Sequence, residues 1–363
     1  MRMQARTSSR KHRAGGITIA LVVALTVLGA CGSDDTSEPS ATPSPGQGPS
    51  DPDPADGSRP KTVRHAEVVA PEPSAATDPF PVTIEHAFGP TLIAEEPKRV
   101  VALETFDLET TFALGVTPLT IHAEDDTTRE PVWAWADFST KAAVSEFHLP
   151  DGRPDYEAIS ATSPDLIINV STITSREEYD QLSTIAPTLT RQDESGRTGD
   201  TWQERTRILG KALGRTVRAD ALVSSLETTI ASARSENPSF ADKTVVLAQY
   251  GGPDEPIITA SASSGLGALL GALGFVVADL PNQIDPAVLD VDELDVLVWQ
   301  LSSGGTTVAD IKADPRLESL PVMAEERVVY LEGEVPSAIL FESVVSLRFG
   351  LDQLLPLLRA AAR

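Results

Sequence analysis

Short apolar runs alternate with helical patterns along most of the chain. Apolar residues that recur every three to four positions predict helices at 107–114, 201–213, 216–234 and 266–273. Nearly continuous apolar runs predict strands that helices cover on both faces, as in parallel sheets. These runs are residues 100–103, 164–170, 244–248, 294–299 and 327–331. The alternation predicts an α/β protein.

The strand signals fall into two groups. Residues 193–242 contain no strand-like run, whereas 216–234 carries one apolar stripe of helical period. We therefore expect two Rossmann-like lobes, 82–200 and 241–363, joined by a helical segment, 201–240, with a single long helix. Ligands of open α/β sheets bind at the carboxyl ends of the strands. Two facing lobes predict a ligand groove between them.

The first 30 residues have the pattern of a secretory signal peptide. A basic start is followed by an apolar stretch, 17–28, which is shorter than the roughly 20 residues of a membrane-spanning helix. Leu28, Gly29, Ala30 and Cys31 resemble a bacterial lipobox. The resemblance implies that Cys31 is lipidated, for example with palmitate, and becomes the first mature residue. An ordinary signal peptide with an unrelated cysteine is the alternative.

Residues 31–81 are rich in Pro, Ser and Asp and poor in large apolar side chains. Such a segment buries too little surface to offset the entropy lost on ordering. We expect a disordered tether that separates the lipid from the folded lobes and anchors them at the outer face of the cell membrane.

Charge and cysteine content narrow the functional classes. The chain has a formal net charge of −24, and the signal region holds basic but no acidic residues, so the remainder is more acidic still. This charge argues against nucleic acid as a partner. Cys31 is the single cysteine, which excludes an internal disulfide. The 41% hydrophobic content is enough for a substantial core.

The order of several short motifs resembles the iron-siderophore receptors of ABC importers, the periplasmic binding proteins with a helical backbone. The motifs are Pro97–Leu103, Ala113–Pro118, Tyr156–Ile159, Ser163–Ile168, Ile185–Thr188, Leu209–Gly214 and Leu351–Leu354. The resemblance implies the class III fold of that family and a monomer that hands a ferric siderophore to a permease driven by an ATPase. It implies no catalysis and no cofactor.

Loops after the predicted strands supply the candidate ligand contacts. Aromatic walls with a few polar groups suit an organic chelate. Arg348 is our candidate cation for an anionic chelate, because a guanidinium matches carboxylate geometry; Arg129, Arg153 and Arg176 are weaker candidates. The other candidates are Thr105, Phe106, Trp133, Trp135, Ser171, Thr172, Tyr250 and Trp299.

The resemblance also implies acidic residues that dock the permease. Glu157 matches the position in the first lobe. In the second lobe Ala287 stands near the expected glutamate, and Asp285 and Asp290 are possible substitutes. Docking of the usual kind is therefore in question.

Three other functions stay open at this level. A bare metal-ion receptor needs converging histidines, and His65, His86, His122 and His148 are scattered. A secreted hydrolase is disfavoured because neither Gly-x-Ser-x-Gly nor His-Glu-x-x-His occurs. A haem-binding surface protein, a sensor or a scaffold on the same fold is the third. The sequence does not distinguish catecholate, hydroxamate, carboxylate, haem and cobalamin ligands.

Overall fold

A computed structural model describes residues 78–119, 153–172, 174–192, 201–289, 294–301 and 305–363. The proposed lipidation site Cys31, the signal peptide, most of the tether, Trp133, Trp135 and Asp290 lie outside these residues. Within the described ranges, no helix combines the length and the apolar content that a membrane crossing requires.

The N-terminal lobe begins with an antiparallel hairpin and continues with a three-stranded parallel sheet of order β3-β4-β5. All three parallel strands are buried along their whole length, as strands covered by helices must be. The strands are β1 (Val82–His86), β2 (Gly89–Ile93), β3 (Val100–Ala102), β4 (Leu166–Asn169) and β5 (Thr188–Thr190).

Four helices accompany these strands: α1 (Thr105–Ala113), α2 (Tyr156–Ala161), α3 (Arg176–Ile185) and α4 (Trp202–Ala212). Capping boxes begin α3 and α4, where Ser175 pairs with Glu178 and Thr201 with Glu204. Because α1 is buried on nearly every side, it is an internal helix of the molecule rather than a surface element.

The long helix α5 (Thr216–Glu236) joins the two lobes. Near its start, Ala219 packs in the core of the N-terminal lobe. Near its end, Ala233 packs in the core of the C-terminal lobe. One continuous helix of 21 residues therefore contributes to both hydrophobic cores.

The C-terminal lobe contains a six-stranded sheet in which β11-β10-β6-β7-β9 are neighbours and β8 pairs with β6. β8, β10 and β11 run parallel to their neighbours, whereas β7 and β9 form antiparallel pairs. The strands are β6 (Thr244–Gln249), β7 (Ile257–Ala260), β8 (Val276–Val277), β9 (Gln283–Ile284), β10 (Val296–Gln300) and β11 (Val328–Leu331).

Hydrophobic clusters cover both faces of this sheet. The helices of the lobe are α6 (Gly265–Leu273), α7 (Val308–Ala313), α8 (Pro315–Glu318), α9 (Pro321–Ala324), α10 (Val335–Phe341) and α11 (Ser346–Ala361). Leu351, Leu354 and Leu358 of α11 lie in the core, although Pro356 is inside the helix. The α/β class expected from the apolar pattern is confirmed.

Candidate functional site

The ends of β3 and β4 bring the first candidate residues together. These strands are parallel neighbours, and the backbone N–H of Leu103 donates to the carbonyl of Ile168 across 3.0 Å. Thr105, at the start of α1, therefore lies beside the segment that contains Ser171 and Thr172. All three side chains are half-buried, whereas Phe106 is buried. The sheet thus gathers four of the predicted ligand contacts at one edge.

Asp107 is a fully buried acid at this edge. It lies beside the Ser171 hydroxyl and the Val170 backbone, but neither contact has the geometry of a hydrogen bond. Among the described residues, neither carboxylate oxygen of Asp107 nor the buried Ser171 Oγ has a hydrogen-bond partner. The pKa of Asp107 is raised to about 8, chiefly by burial and then by the nearby Glu104 carboxylate, while the charge of Arg205 opposes the shift.

Arg205 of α4 contacts both lobes. Its guanidinium carbon lies 4.2 Å from the centre of the Phe106 ring. Its Nη2 donates to Glu342 Oε2 across 2.5 Å, and the arginine side chain is only 7% exposed. Its Nε is buried without an acceptor among the residues described. We call Phe106, Asp107, Ser171, Arg205 and Glu342 the strand-end cluster.

Glu342 contributes from the segment between α10 and α11. Its backbone is left-handed, with φ 56° and ψ 20°, which costs a non-glycine residue about 1–2 kcal/mol. Its carboxylate presses on Gly265, where any side-chain carbon would collide with Oε1. Next to it, Ser343 Oγ donates to the buried carboxylate of Glu109 in α1. The two lobes therefore also meet through polar contacts beside α5.

Tyr250 follows β6 and is 9% exposed. Its hydroxyl donates to Asp314 Oδ2 across 2.7 Å, and burial raises the pKa of this tyrosine. Asp314 also accepts a hydrogen bond from Arg316, which lowers the pKa of Asp314 to about 2. Arg316 donates in addition to the carbonyls of Gly252 and Glu255. Tyr250 therefore belongs to a closed internal network.

Trp299 does not line a groove, contrary to the sequence-based expectation. It is 0% exposed and packs in the core of the C-terminal lobe, edge-on to Tyr250 with ring centres 6.1 Å apart. β10 is a central strand, and hydrophobic clusters cover both of its faces. A ligand has no surface of Trp299 to contact.

Arg348 lies on α11 and faces the connecting helix. Its Nη1 is 3.5 Å from Thr229 Oγ1 of α5. Burial raises the pKa of Asp352, and the charge of Arg348 opposes this shift. These contacts join α11 to α5. The structure places Arg348 in that helix pair, while Arg205 supplies the cation of the strand-end cluster.

Arg176, one of the weaker arginine candidates, lies over the Phe88 and Tyr179 rings and pairs with Asp180 across 2.9 Å. A shallow depression of about 540 Å³ runs along this face of α3. Among the described residues, those that line the depression all belong to α3. Being open and one-sided, it is a weaker candidate site than the strand ends.

The proposed docking acids that the structure describes are exposed. Glu157 lies in the first turn of α2, which Asp155 caps. Asp285 Oδ1 accepts the N–H of Ala287 across 2.9 Å. Both carboxylates are at the surface, where a protein partner can reach them.

Sequence reasoning missed Asp107, Arg205 and Glu342. A signal was present for Arg205, which precedes buried Leu209 by four positions and so lies on the buried stripe of α4. Asp107 stands between two apolar residues at the start of a helix. Over the described part of the chain, no group of three His, Cys, Asp or Glu could hold a metal ion.

Comparison with known proteins places the chain among solute receptors. Residues 100–335 match the family model described as "Periplasmic binding protein". The Fe(3+)-citrate-binding protein YfmC of Bacillus subtilis is 27% identical over 244 residues, which are 66% of this chain and 75% of that protein.

Solved structures agree with the fold. A periplasmic solute binding protein of Mycobacterium smegmatis has 26% identity and a TM-score of 0.67, covering 78% of this chain and 99% of that one. PiaA of Streptococcus pneumoniae, solved in complex with ferrichrome, has 22% identity and a TM-score of 0.62, covering 77% and 98%. At that identity the likeness to PiaA concerns the fold alone.

Proposed function

The chain belongs to the periplasmic binding protein family, and we propose that it binds a ferric siderophore or related iron chelate and delivers it to an ABC importer. The similarity to YfmC, named for Fe(3+)-citrate, is the observation that carries the choice of ligand. The ferrichrome complex of PiaA supports the use of this fold for an iron chelate. The receptor binds its ligand one to one and carries out no reaction.

The ligand contacts are proposed at Arg205 and Ser171 of the strand-end cluster and at the half-buried neighbours Thr105 and Thr172. Asp107 is 0% exposed and is proposed to act through Ser171, beside which it lies. Buried oxygens without partners are costly, so their presence here favours a site completed by a bound molecule. Trp133 and Trp135 remain proposed aromatic walls. Replacing both by alanine is expected to weaken chelate binding, and an unchanged affinity removes them from the site.

We propose further that Cys31 carries the lipid and that residues 31–81 tether the receptor to the outer face of the membrane. The lipobox-like Leu28–Cys31 supports this assignment. Mass spectrometry of the membrane-extracted protein tests it. The expected N-terminal peptide begins at Cys31 and carries acyl chains, whereas a free thiol at Cys31 contradicts lipidation.

Glu157, together with Asp285 or Asp290, is proposed to dock the permease. The exposure of Glu157 and Asp285 supports this role. Glu157→Ala is expected to lower uptake of radiolabelled iron in cells while chelate affinity stays unchanged. Unchanged uptake excludes Glu157 from docking.

Calorimetric titration of the full-length chain in detergent tests the proposed function. The panel contains ferric citrate, ferric hydroxamate and catecholate siderophores, haem and cobalamin, each ferric chelate paired with its iron-free form. We expect saturable one-to-one binding of a ferric chelate and weaker binding of its iron-free form. Binding of haem alone, or of nothing in the panel, contradicts the proposal and favours a haem-binding or scaffold protein.

A further inference from the structure

Arg205 has more donors than its internal partner uses. Its Nη2 donates to Glu342, while the buried Nε has no acceptor among the described residues. The planar guanidinium group can donate two parallel hydrogen bonds to a carboxylate. A nearly buried arginine with a free Nε is therefore suited to bind an additional or replacement anion.

The first turn of α6 meets the same carboxylate. Ser264 caps the helix by accepting the N–H of Gly267, and the first helical bond runs from Ala268 to the carbonyl of Ser264. The earlier N–H groups, those of Gly265 and Leu266, lie at the positive end of the helix dipole. The Glu342 carboxylate presses on Gly265 and so lies between this helix end and Arg205.

Two features of Glu342 favour displacement of its carboxylate from Arg205. Its left-handed backbone is unfavourable for a glutamate, and its side chain is already 29% exposed. If its carboxylate turns into solvent and a ligand carboxylate takes its place, the number of charges around Arg205 does not change. The neighbouring Glu104 and Asp107 therefore oppose the exchange no more than they oppose Glu342 itself.

We propose that Arg205 and the first turn of α6 form a subsite for an anionic group of the chelate, which Glu342 occupies while the receptor is empty. This inference rests on the proposed function. The chelate that uses the subsite carries a carboxylate or a comparable anionic group at its edge. An uncharged chelate has no group that can replace Glu342, so it gains nothing from the subsite and leaves Glu342 in place.

Glu342→Gln in the full-length chain tests the exchange. The variant keeps the shape of the side chain and removes the charge that competes for Arg205. If Glu342 blocks the subsite about nine-tenths of the time, its removal tightens ferric citrate binding about tenfold. The affinity for ferrichrome, an uncharged chelate, is expected to rise much less than the affinity for ferric citrate. Glu318→Gln makes the same chemical change at an exposed position of α8 and serves as the matched control.

A second variant guards against a folding defect. Glu342→Gly removes the carboxylate and places glycine where the backbone is left-handed, a conformation that glycine adopts without strain. It too is expected to bind ferric citrate more tightly. Arg205→Lys keeps the charge but loses the planar fork, so it is expected to weaken ferric citrate binding more than ferrichrome binding.

The outcomes separate this inference from the proposed function. If the unaltered protein binds ferric citrate and both Glu342 variants bind it equally or less tightly, Glu342 is only a structural partner and the inference is wrong. Equal tightening for ferrichrome, or wild-type binding of ferrichrome but not ferric citrate, also overturns it. If the unaltered protein binds no ferric chelate, the proposed function fails first.

Discussion

The strand ends of the two lobes hold their carboxyl and hydroxyl groups in different states. In the C-terminal lobe, the Tyr250 hydroxyl, the Asp314 carboxylate and the Arg316 guanidinium are joined in one closed network. In the N-terminal lobe, the Asp107 carboxylate and the Ser171 Oγ are buried without hydrogen-bond partners among the described residues. In the closed network each buried polar group has a partner, whereas a buried oxygen without a hydrogen bond destabilises the folded protein. The contrast agrees with a structural role for the first group and with the ligand-binding role that we propose for the second.

Asp314→Asn is expected to have the largest effect on stability. The change removes the charge that Arg316 and Tyr250 both contact, and hydrogen bonds to a charged group contribute about 1.5–3 kcal/mol. We expect a fall of about 2 kcal/mol in the unfolding free energy, measured by urea denaturation.

Glu318→Gln, an exposed change on α8, is the control and is expected to leave the unfolding free energy within about 0.5 kcal/mol. A variant at Asp314 that keeps its stability but loses chelate affinity places this network in the binding site and removes the contrast.

The effect of Asp107→Asn on stability is expected to depend on pH. Burial holds the pKa of Asp107 at about 8 in the folded protein, against 3.8 for an ordinary aspartate. Between those values the folded protein retains a proton that the unfolded chain has lost, so stability falls as pH rises. Asparagine carries no such proton. The variant's unfolding free energy relative to wild type is expected to rise by about 1.4 kcal/mol per pH unit.

Urea denaturation at about pH 5, 6 and 7 measures that slope, since the whole interval lies inside the window between the two pKa values. Glu318→Gln, an exposed change on α8, again serves as the control. A difference between Asp107→Asn and wild type that does not change with pH shows that Asp107 is ionised in the folded protein.

Ser171→Ala has the smallest expected effect. Its hydroxyl has no hydrogen bond to lose within the described protein, so stability is expected to change by less than about 0.5 kcal/mol. Loss of one ligand hydrogen bond costs about 1 kcal/mol, which corresponds to roughly fivefold weaker chelate binding. Calorimetry on the variant and wild type measures it. Lower stability with unchanged affinity assigns Ser171 to the fold.

The apolar pattern was sufficient to predict the α/β class and the long helix. Residues 216–234 predict nearly the whole of α5, which the structure extends to Glu236. The antiparallel strands β7 and β9 were not predicted, because runs of four and two residues are too short to show a period. Their pairing depends on contacts between distant segments.

Only part of the candidate site could be predicted from the sequence. Thr105, Ser171 and Thr172 could be placed at strand ends because parallel strands end at one edge. The apolar run 294–299 predicted the strand that contains Trp299, but it did not show which face of the sheet each side chain packs on. In the structure Val298 and Trp299 pack in different hydrophobic clusters. The pairing of Arg205 with Glu342 joins positions 137 residues apart, and no local pattern predicts it.

The position of the bound iron shows whether the ligand binds at the strand-end cluster. Crystals of the receptor with ferric citrate, measured at the iron absorption edge, locate the metal by its anomalous scattering. We expect one iron peak between Ser171 and Gly265, with Arg205 contacting the chelate. An iron peak on the outer face of α3 beside Arg176, or none with the chelate present, would contradict it.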